Sequence, residues 1–169
     1  MAPRVSVLMG CYNSEKSVGE AVDSILAQTF RDFEFIVVDD GSTDRTPEIL
    51  AAYTDPRLVR VMLPSNQGLA IALNRGLAVA QGEYVARMDA DDVSVPERLA
   101  KQVAHMDAHP EIGVLGGFVQ RLDELGRTKG KVDPPTAHAE IAWQLYFYST
   151  NDSPYSGNAP GHSGGGRRV

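Results

Sequence analysis

Two carboxylates one residue apart, Asp89 and Asp91, form the sharpest chemical signal in the chain. On an extended segment, residues i and i+2 project to the same side. Carboxylates placed that way repel, and one tends to stay protonated unless a cation sits between them. Mg²⁺ or Mn²⁺ meets that need, because either accepts one or two protein carboxylates and completes its shell with phosphate oxygens and water. An ion held there could neutralise charge developing on a departing diphosphate. The plainer alternative is that Asp91 or Asp92 caps a helix starting near Pro96, and for Asp92 capping is the better reading.

Two more polar clusters carry candidate chemistry. Asp39-Asp40-Gly41-Ser42, taken alone, reads as a turn with a helix cap. As a site, its carboxylates could accept an N–H from a pyrimidine or bind a ribose hydroxyl, with Gly41 letting the backbone come close. Gly10 to Asn13 contains Tyr12, whose ring can lie against a base with its hydroxyl free, or can simply pack. Arg75 and Arg87 could each pair with phosphate, and Arg87 gains weight from standing two residues before Asp89. Cys11 reads as inert. There is no C-x-x-C, and His105, His109, His138 and His162 are scattered without zinc spacing. Neither G-x-G-x-x-G nor a Walker lysine loop is present, so nicotinamide-dinucleotide and P-loop readings are poor. An Asp-x-Asp phosphohydrolase would place its nucleophile after the first strand, where Gly10-Cys11-Tyr12-Asn13 offers no carboxylate.

The elements that position these clusters follow from periodicity. Val5–Met9 is a short β-branched apolar run, expected to be a buried strand. Val18, Ala21, Val22, Ile25 and Leu26 recur at helical spacing, with Ser17 and Glu20 available as a capping box. Phe33–Val38 predicts a second strand. A short helix starts at Thr46 with Pro47 in its first turn. Leu58–Leu63 predicts a third strand, Gly68–Gln81 a helix with Gly82 as its C-cap, and Glu83–Met88 a fourth strand. Pro96–Ala108 predicts a helix with Leu99, Val103 and Met106 on one face, ended by His109-Pro110. Ile112–Leu122 reads as a fifth strand, 123–126 as a turn, and His138–Tyr148 as a helix. Strands alternating with helices give an α/β architecture with a mostly parallel sheet. In such a sheet ligands bind beyond the carboxyl ends of the strands, and each of the three clusters directly follows a strand.

Composition sets the outer bounds. The chain has 169 residues, 43% hydrophobic and 22% charged, which suits one soluble globular domain. A net charge of −6 gives no general attraction to nucleic acid. An anionic ligand would then need local positive charge, from an ion, arginines or helix N-termini. One cysteine excludes an intrachain disulfide. With neither a leader nor a membrane-spanning run evident, a cytoplasmic location is the expectation, with room for peripheral attachment to the inner face of a membrane.

Taken together, Val5–Asn13, Ser24–Phe30, Glu34–Asp44, Asn66–Ala70, Leu73–Gly76 and Gly82–Asp92 resemble family 2 glycosyltransferases of the GT-A fold, over residues 3–148. The resemblance implies a Rossmann-like sandwich, here incomplete at its C-terminus, that binds a nucleotide-diphospho-sugar donor, with a UDP-sugar favoured. It implies that Tyr12 contacts the base, that Asp40 and Asp39 bind base or ribose, and that Asp89 and Asp91 hold Mn²⁺ or Mg²⁺ with the diphosphate. It places Arg75 and Arg87 as nucleotide contacts. It implies an inverting, single-displacement transfer to a saccharide or lipid-linked acceptor, with an acidic residue as base. The sequence departs from the family where that base is expected: there is no Glu-Asp step, and Trp143 follows Ala142 rather than the Arg of a Q-x-x-R-W motif. Thr150–Val169 contains five glycines and no Leu, Ile, Met or Phe. This break leads to the expectation of a partial binding domain at 1–149, a disordered tail at 150–169, and a truncated or frame-shifted product without a catalytic residue. A donor-binding fragment without transfer activity is the alternative reading.

Overall fold

The computed structural model describes residues 2–123 and 127–132. These fall into two compact units that divide after Gly113. In the first, β1 (Val5–Cys11), β2 (Phe33–Asp39), β3 (Leu58–Met62) and β4 (Tyr84–Asp89) form a wholly parallel sheet in the order β3-β2-β1-β4. The chain winds outward to β3, then crosses back to lay β4 on the far side of β1. That reversal makes a topological switch point between β1 and β4.

Both faces of the sheet are covered, which is why β1 and β2 read as unbroken apolar runs rather than alternating ones. Val5, Val7, Met9 and Cys11 of β1 and Phe33, Phe35 and Val37 of β2 face one way. They pack against Val18, Ala21, Val22 and Ile25 of α1 (Val18–Leu26), Leu50 of α2 (Thr46–Ala51) and Leu99 and Val103 of α4 (Arg98–Ala108). Leu8, Ile36 and Val38 face the other way, against Ala72 of α3 (Leu69–Leu77). On β4 the alternation continues: Met88 enters the first core, as does Ala90 just beyond the strand, while Val85 and Arg87 are exposed on the opposite face.

Several expectations need correcting. Ser17 sits at the start of α1, but its side chain makes no capping bond, so the expected box with Glu20 does not form. The N–H groups of Ser17 and Val18 instead donate to the Ser14 carbonyl. Helix α3 ends at Leu77, with a tightened last turn in which the Val79 and Ala80 N–H groups donate to Gly76. Gly82 is therefore not its cap. It lies against β1 instead: a Cβ there would come within 2.3 Å of the Ser6 amide nitrogen. The Gly82 N–H donates to Ser6 Oγ at 2.8 Å, and Ser6 Oγ in turn donates to Glu34.

The fifth strand is shorter than expected. In the second unit β5 covers only Val119–Leu122 and pairs antiparallel with β6 (Thr128–Val132), a strand the sequence did not suggest. Gly113, Gly116 and Gly117 interrupt the apolar run from Ile112, and glycines weaken an extended segment. The expected turn at 123–126 lies mostly outside the described residues. The expected helix at 138–148 and the tail from 150 lie wholly outside them. Among the described residues no helix is long and apolar enough to cross a membrane.

The tight approach of Gly82 yields a prediction. Gly82→Ala should destabilise the protein by about 1–3 kcal/mol, because the methyl meets backbone that cannot move without disturbing β1. A urea midpoint equal to that of the parent would show that the contact is slack.

Candidate functional site

Strand register brings the three polar clusters to one edge. Cys11 lies beside Asp39 in the β1–β2 ladder, and Gly10 lies beside Asp89 in the β1–β4 ladder. The segments leaving β1, β2 and β4 therefore emerge together at the carboxyl end of the sheet, next to the switch point.

The first two clusters are bolted to each other. Asn13, held at φ 49°, donates its N–H to Ser42 Oγ at 2.9 Å, and its Oδ1 accepts the Thr43 N–H at 2.8 Å. Ser42 in turn donates both its hydroxyl and its N–H to Asp39 Oδ1. Further along, Ser14 N–H donates to Thr46 Oγ1, and Asp44 accepts the N–H groups of Glu15 and Thr46. Tyr12 stands beside this zipper with its side chain partly exposed at 44%. Asn13 and Ser42 belong to the two clusters read from the sequence but had no role assigned there, and Thr43 and Asp44 lay outside those clusters. A run of Ser, Thr and Asp after the Asp39-Asp40-Gly41 turn is the signal that could have pointed to them.

Asp39 and Asp40 are both buried. The Asp40 carboxylate accepts the Gln67 N–H on one oxygen and the Gly68 N–H on the other, each at 2.8 Å. It thus anchors the start of α3, where a negative charge also suits the helix dipole. Gly41, at φ 70°, is required here because a Cβ would come within 2.5 Å of the Ser65 backbone. The close approach that Gly41 permits is to the protein's own loop. Each carboxylate oxygen can accept more than one hydrogen bond, so both aspartates retain acceptor capacity.

The third cluster differs from expectation in its local geometry. β4 stops at Asp89, and the Asp92 N–H donates to the Asp89 carbonyl at 3.3 Å, closing a turn over Asp89–Asp92. Strand alternation therefore does not relate Asp89 to Asp91. It relates Arg87 to Asp89, and those two form an ion pair. Asp91 is exposed and has no hydrogen-bond or ion-pair partner among the described residues. Neither Asp91 nor Asp92 caps α4, which begins at Arg98 with Glu97 in the cap position. Burial, then the nearby charges of Asp89 and Asp91, push the Asp92 carboxyl above the usual carboxylate range.

These residues fit a divalent ion. Asp89 and Asp91 flank the buried Ala90, and among the described residues no group of three or more His, Cys, Asp or Glu side chains gathers to cage an ion. A two-carboxylate set leaves most of a six-coordinate shell for phosphate oxygens and water, as Mg²⁺ and Mn²⁺ prefer. Arg75 lies on the exposed side of α3, about 9 Å of helix beyond Leu69. Cys11 is buried, and burial pushes its thiol up to about 12 with help from Asp39, so it is inert as expected.

The acidic turn is held from behind by Gln28. This fully buried side chain donates to the carbonyls of Ser24 and Val95 and accepts the Leu99 N–H at 3.0 Å. The Thr29 N–H and hydroxyl both donate to the Pro96 carbonyl, and the Ser94 N–H donates to Ser24 Oγ. The run Ser24–Thr29 is thus a clamp on residues 94–99, just after the turn. Arg98 completes it by donating to Ser94 Oγ, to Gln102 and to the Arg87 carbonyl.

Comparisons with known proteins agree with this architecture. The family model "Glycosyl transferase family 2" matches residues 6–167. The chain is 41% identical over 163 residues to the putative glycosyltransferase EpsE of Bacillus subtilis, covering 88% of this chain and 59% of that one. Among solved structures it is similar to S. aureus TarS in complex with UDP-GlcNAc, at 37% identity and a TM-score of 0.61, over 63% of this chain and 32% of that one. It is also similar to the mannosyltransferase PcManGT from Pyrobaculum calidifontis in complex with GDP-Man and Mn²⁺, at 34% identity and a TM-score of 0.61, over 72% of this chain and 36% of that one. The chain thus spans less than two thirds of the length of these relatives.

Gln28→Leu tests the clamp. It should strand the Leu99 N–H and lower stability by about 1–3 kcal/mol. Chemical denaturation with an unchanged midpoint would mean that Gln28 does not hold the segment behind the acidic turn.

Proposed function

Since this chain belongs to glycosyl transferase family 2, we propose that it forms the donor-binding part of an inverting, metal-dependent transferase that takes a nucleoside-diphospho-sugar, with UDP as the preferred nucleotide. The observation that carries the reading is the meeting of three polar loops at the switch point, one of them carrying at Asp91 an exposed carboxylate without a partner among the described residues. Structural relatives in complex with UDP-GlcNAc and with GDP-Man and Mn²⁺ support the ligand class.

In this reading Tyr12 offers its exposed ring to the base, and the remaining acceptor capacity of Asp39 and Asp40 takes a base N–H or a ribose hydroxyl. Because the bonds of Asn13 to Ser42 and Thr43 tie the two loops together, base and ribose contacts are set as one unit. Asp89 and Asp91 would hold a divalent ion, which neutralises charge on the departing diphosphate. Arg87 stands beside Asp89 as a counter-charge for phosphate, while Arg75 contributes to the nucleotide site only from a distance. Inversion requires a base that deprotonates the acceptor hydroxyl, and we assign that role to no residue of this chain. A donor-binding module without transfer is the second reading. Sugar transfer to a saccharide or lipid-linked acceptor, or hydrolysis of the donor, selects between the two.

Asp91 provides a clean test because its side chain makes no hydrogen bond or ion pair among the described residues. Asp91→Ala should leave thermal stability within about 0.5 kcal/mol of the parent and abolish Mn²⁺-dependent binding of UDP in calorimetry. Unchanged metal-dependent affinity would remove Asp91 from the site, and tighter binding of GDP than of UDP would overturn the nucleotide assignment.

A further inference from the structure

Arg87 and Arg98 both stand beside the acidic turn, and they are in different states. Arg98 is committed: its nitrogens donate to Ser94 Oγ, to Gln102 Oε1 and to the Arg87 carbonyl, and burial draws its guanidinium below its ordinary value. Arg87 has one side-chain partner among the described residues, Asp89, and about half of its side chain is exposed. Strand alternation puts the two side chains on the same face of β4, so the pair forms without distorting the backbone. The backbone under Arg87 is fixed by β1 on one side and by Arg98 on its carbonyl, leaving the guanidinium as the part free to move.

We propose that Arg87 is a resident counter-ion for Asp89. It occupies that carboxylate when no ligand is bound, and it transfers to the diphosphate when the donor arrives, releasing Asp89 for the divalent ion. This rests on the reading of Asp89 and Asp91 as the ion-holding pair. It has a thermodynamic consequence. An ion binding before the nucleotide must displace Arg87, whereas one binding with the nucleotide need not, so each ligand promotes the other. It also keeps the acidic turn partly neutral while the site is empty, which an unpaired Asp89-Asp91-Asp92 cluster would not be. An exposed ion pair is weak, so the barrier that Arg87 sets is modest, about two- to fivefold in ion affinity. A guanidinium suits this exchange because its planar fork matches carboxylate and phosphate equally well.

The test is Mn²⁺ binding to the nucleotide-free protein, read from the electron paramagnetic resonance signal of free Mn²⁺. Arg87→Gln should tighten Mn²⁺ binding by about two- to fivefold, and Arg87→Lys, which keeps the charge, should stay near the parent. The same titrations repeated with saturating UDP should show the parent gaining more Mn²⁺ affinity from the nucleotide than Arg87→Gln does. Equal or weaker Mn²⁺ affinity in nucleotide-free Arg87→Gln, or no binding by either protein, overturns the proposal. If Mn²⁺ still binds with UDP in an Asp91-dependent way, only the role of Arg87 fails. If that dependence is also missing, the metal-site reading fails with it.

Discussion

Hydrogen bonding between β1 and its two neighbours fixes where this chain can gather charge. β1 is buried on both faces and paired on both edges, so it has no freedom to slide. A shift of one residue would turn its whole apolar set over. With the register fixed, Cys11 meets Asp39 and Gly10 meets Asp89, and the loops that follow must leave from a common line. The core therefore acts as a positioning device. Val7, Met9, Phe35 and Met88 take no part in the proposed chemistry, yet their packing determines that three polar loops share an edge.

Gathering carboxylates has a cost, and the protein offsets it differently at each position. Asp39 is held by the hydroxyl and amide of Ser42, Asp40 by two amides at the start of α3, and Asp44 by the amides of Glu15 and Thr46. Asp89 has an arginine. At the tip of the turn Asp91 and Asp92 are both exposed, and partial burial, then the charges of Asp89 and Asp91, raise the Asp92 carboxyl. The electrostatic deficit is thus concentrated in one short turn and not spread over the edge. A turn that carries such repulsion needs support, and Gln28, Thr29 and Arg98 supply it from beneath.

Much of this is legible in the sequence. The strands were readable because both faces of the sheet are covered, leaving apolar runs bounded by Asp and Gly. The acidic clusters were readable because each closes such a run. The reason given for pairing Asp89 with Asp91 was misplaced, since the strand ends at Asp89 and the alternation argument describes Arg87 and Asp89. Gln28 escaped notice because a glutamine just after a helix looks like surface, and two of its three partners lie about 70 residues away in sequence. The caps were misread for a related reason. Neither Ser17 nor Glu97 caps its helix through its own side chain, and the amides near the starts of α3 and α4 are met by Asp40 and Gln28, which are remote in sequence. Strand β6, Thr128–Val132, carries two lysines and a glycine and has no period to detect.

The central claim is that the three loops serve one ligand. Paramagnetic broadening of backbone amide resonances by Mn²⁺ in the presence of UDP tests it directly. The account predicts that amides in Gly10–Asn13, Asp39–Gly41 and Asp89–Asp92 broaden first and together. Those near the Arg4, Glu83 and Asp107 ion pairs, on the order of 20 Å away at the opposite end of the strands, should broaden last. Broadening centred on that opposite end, or confined to Asp89–Asp92 with the other two loops untouched, would contradict it.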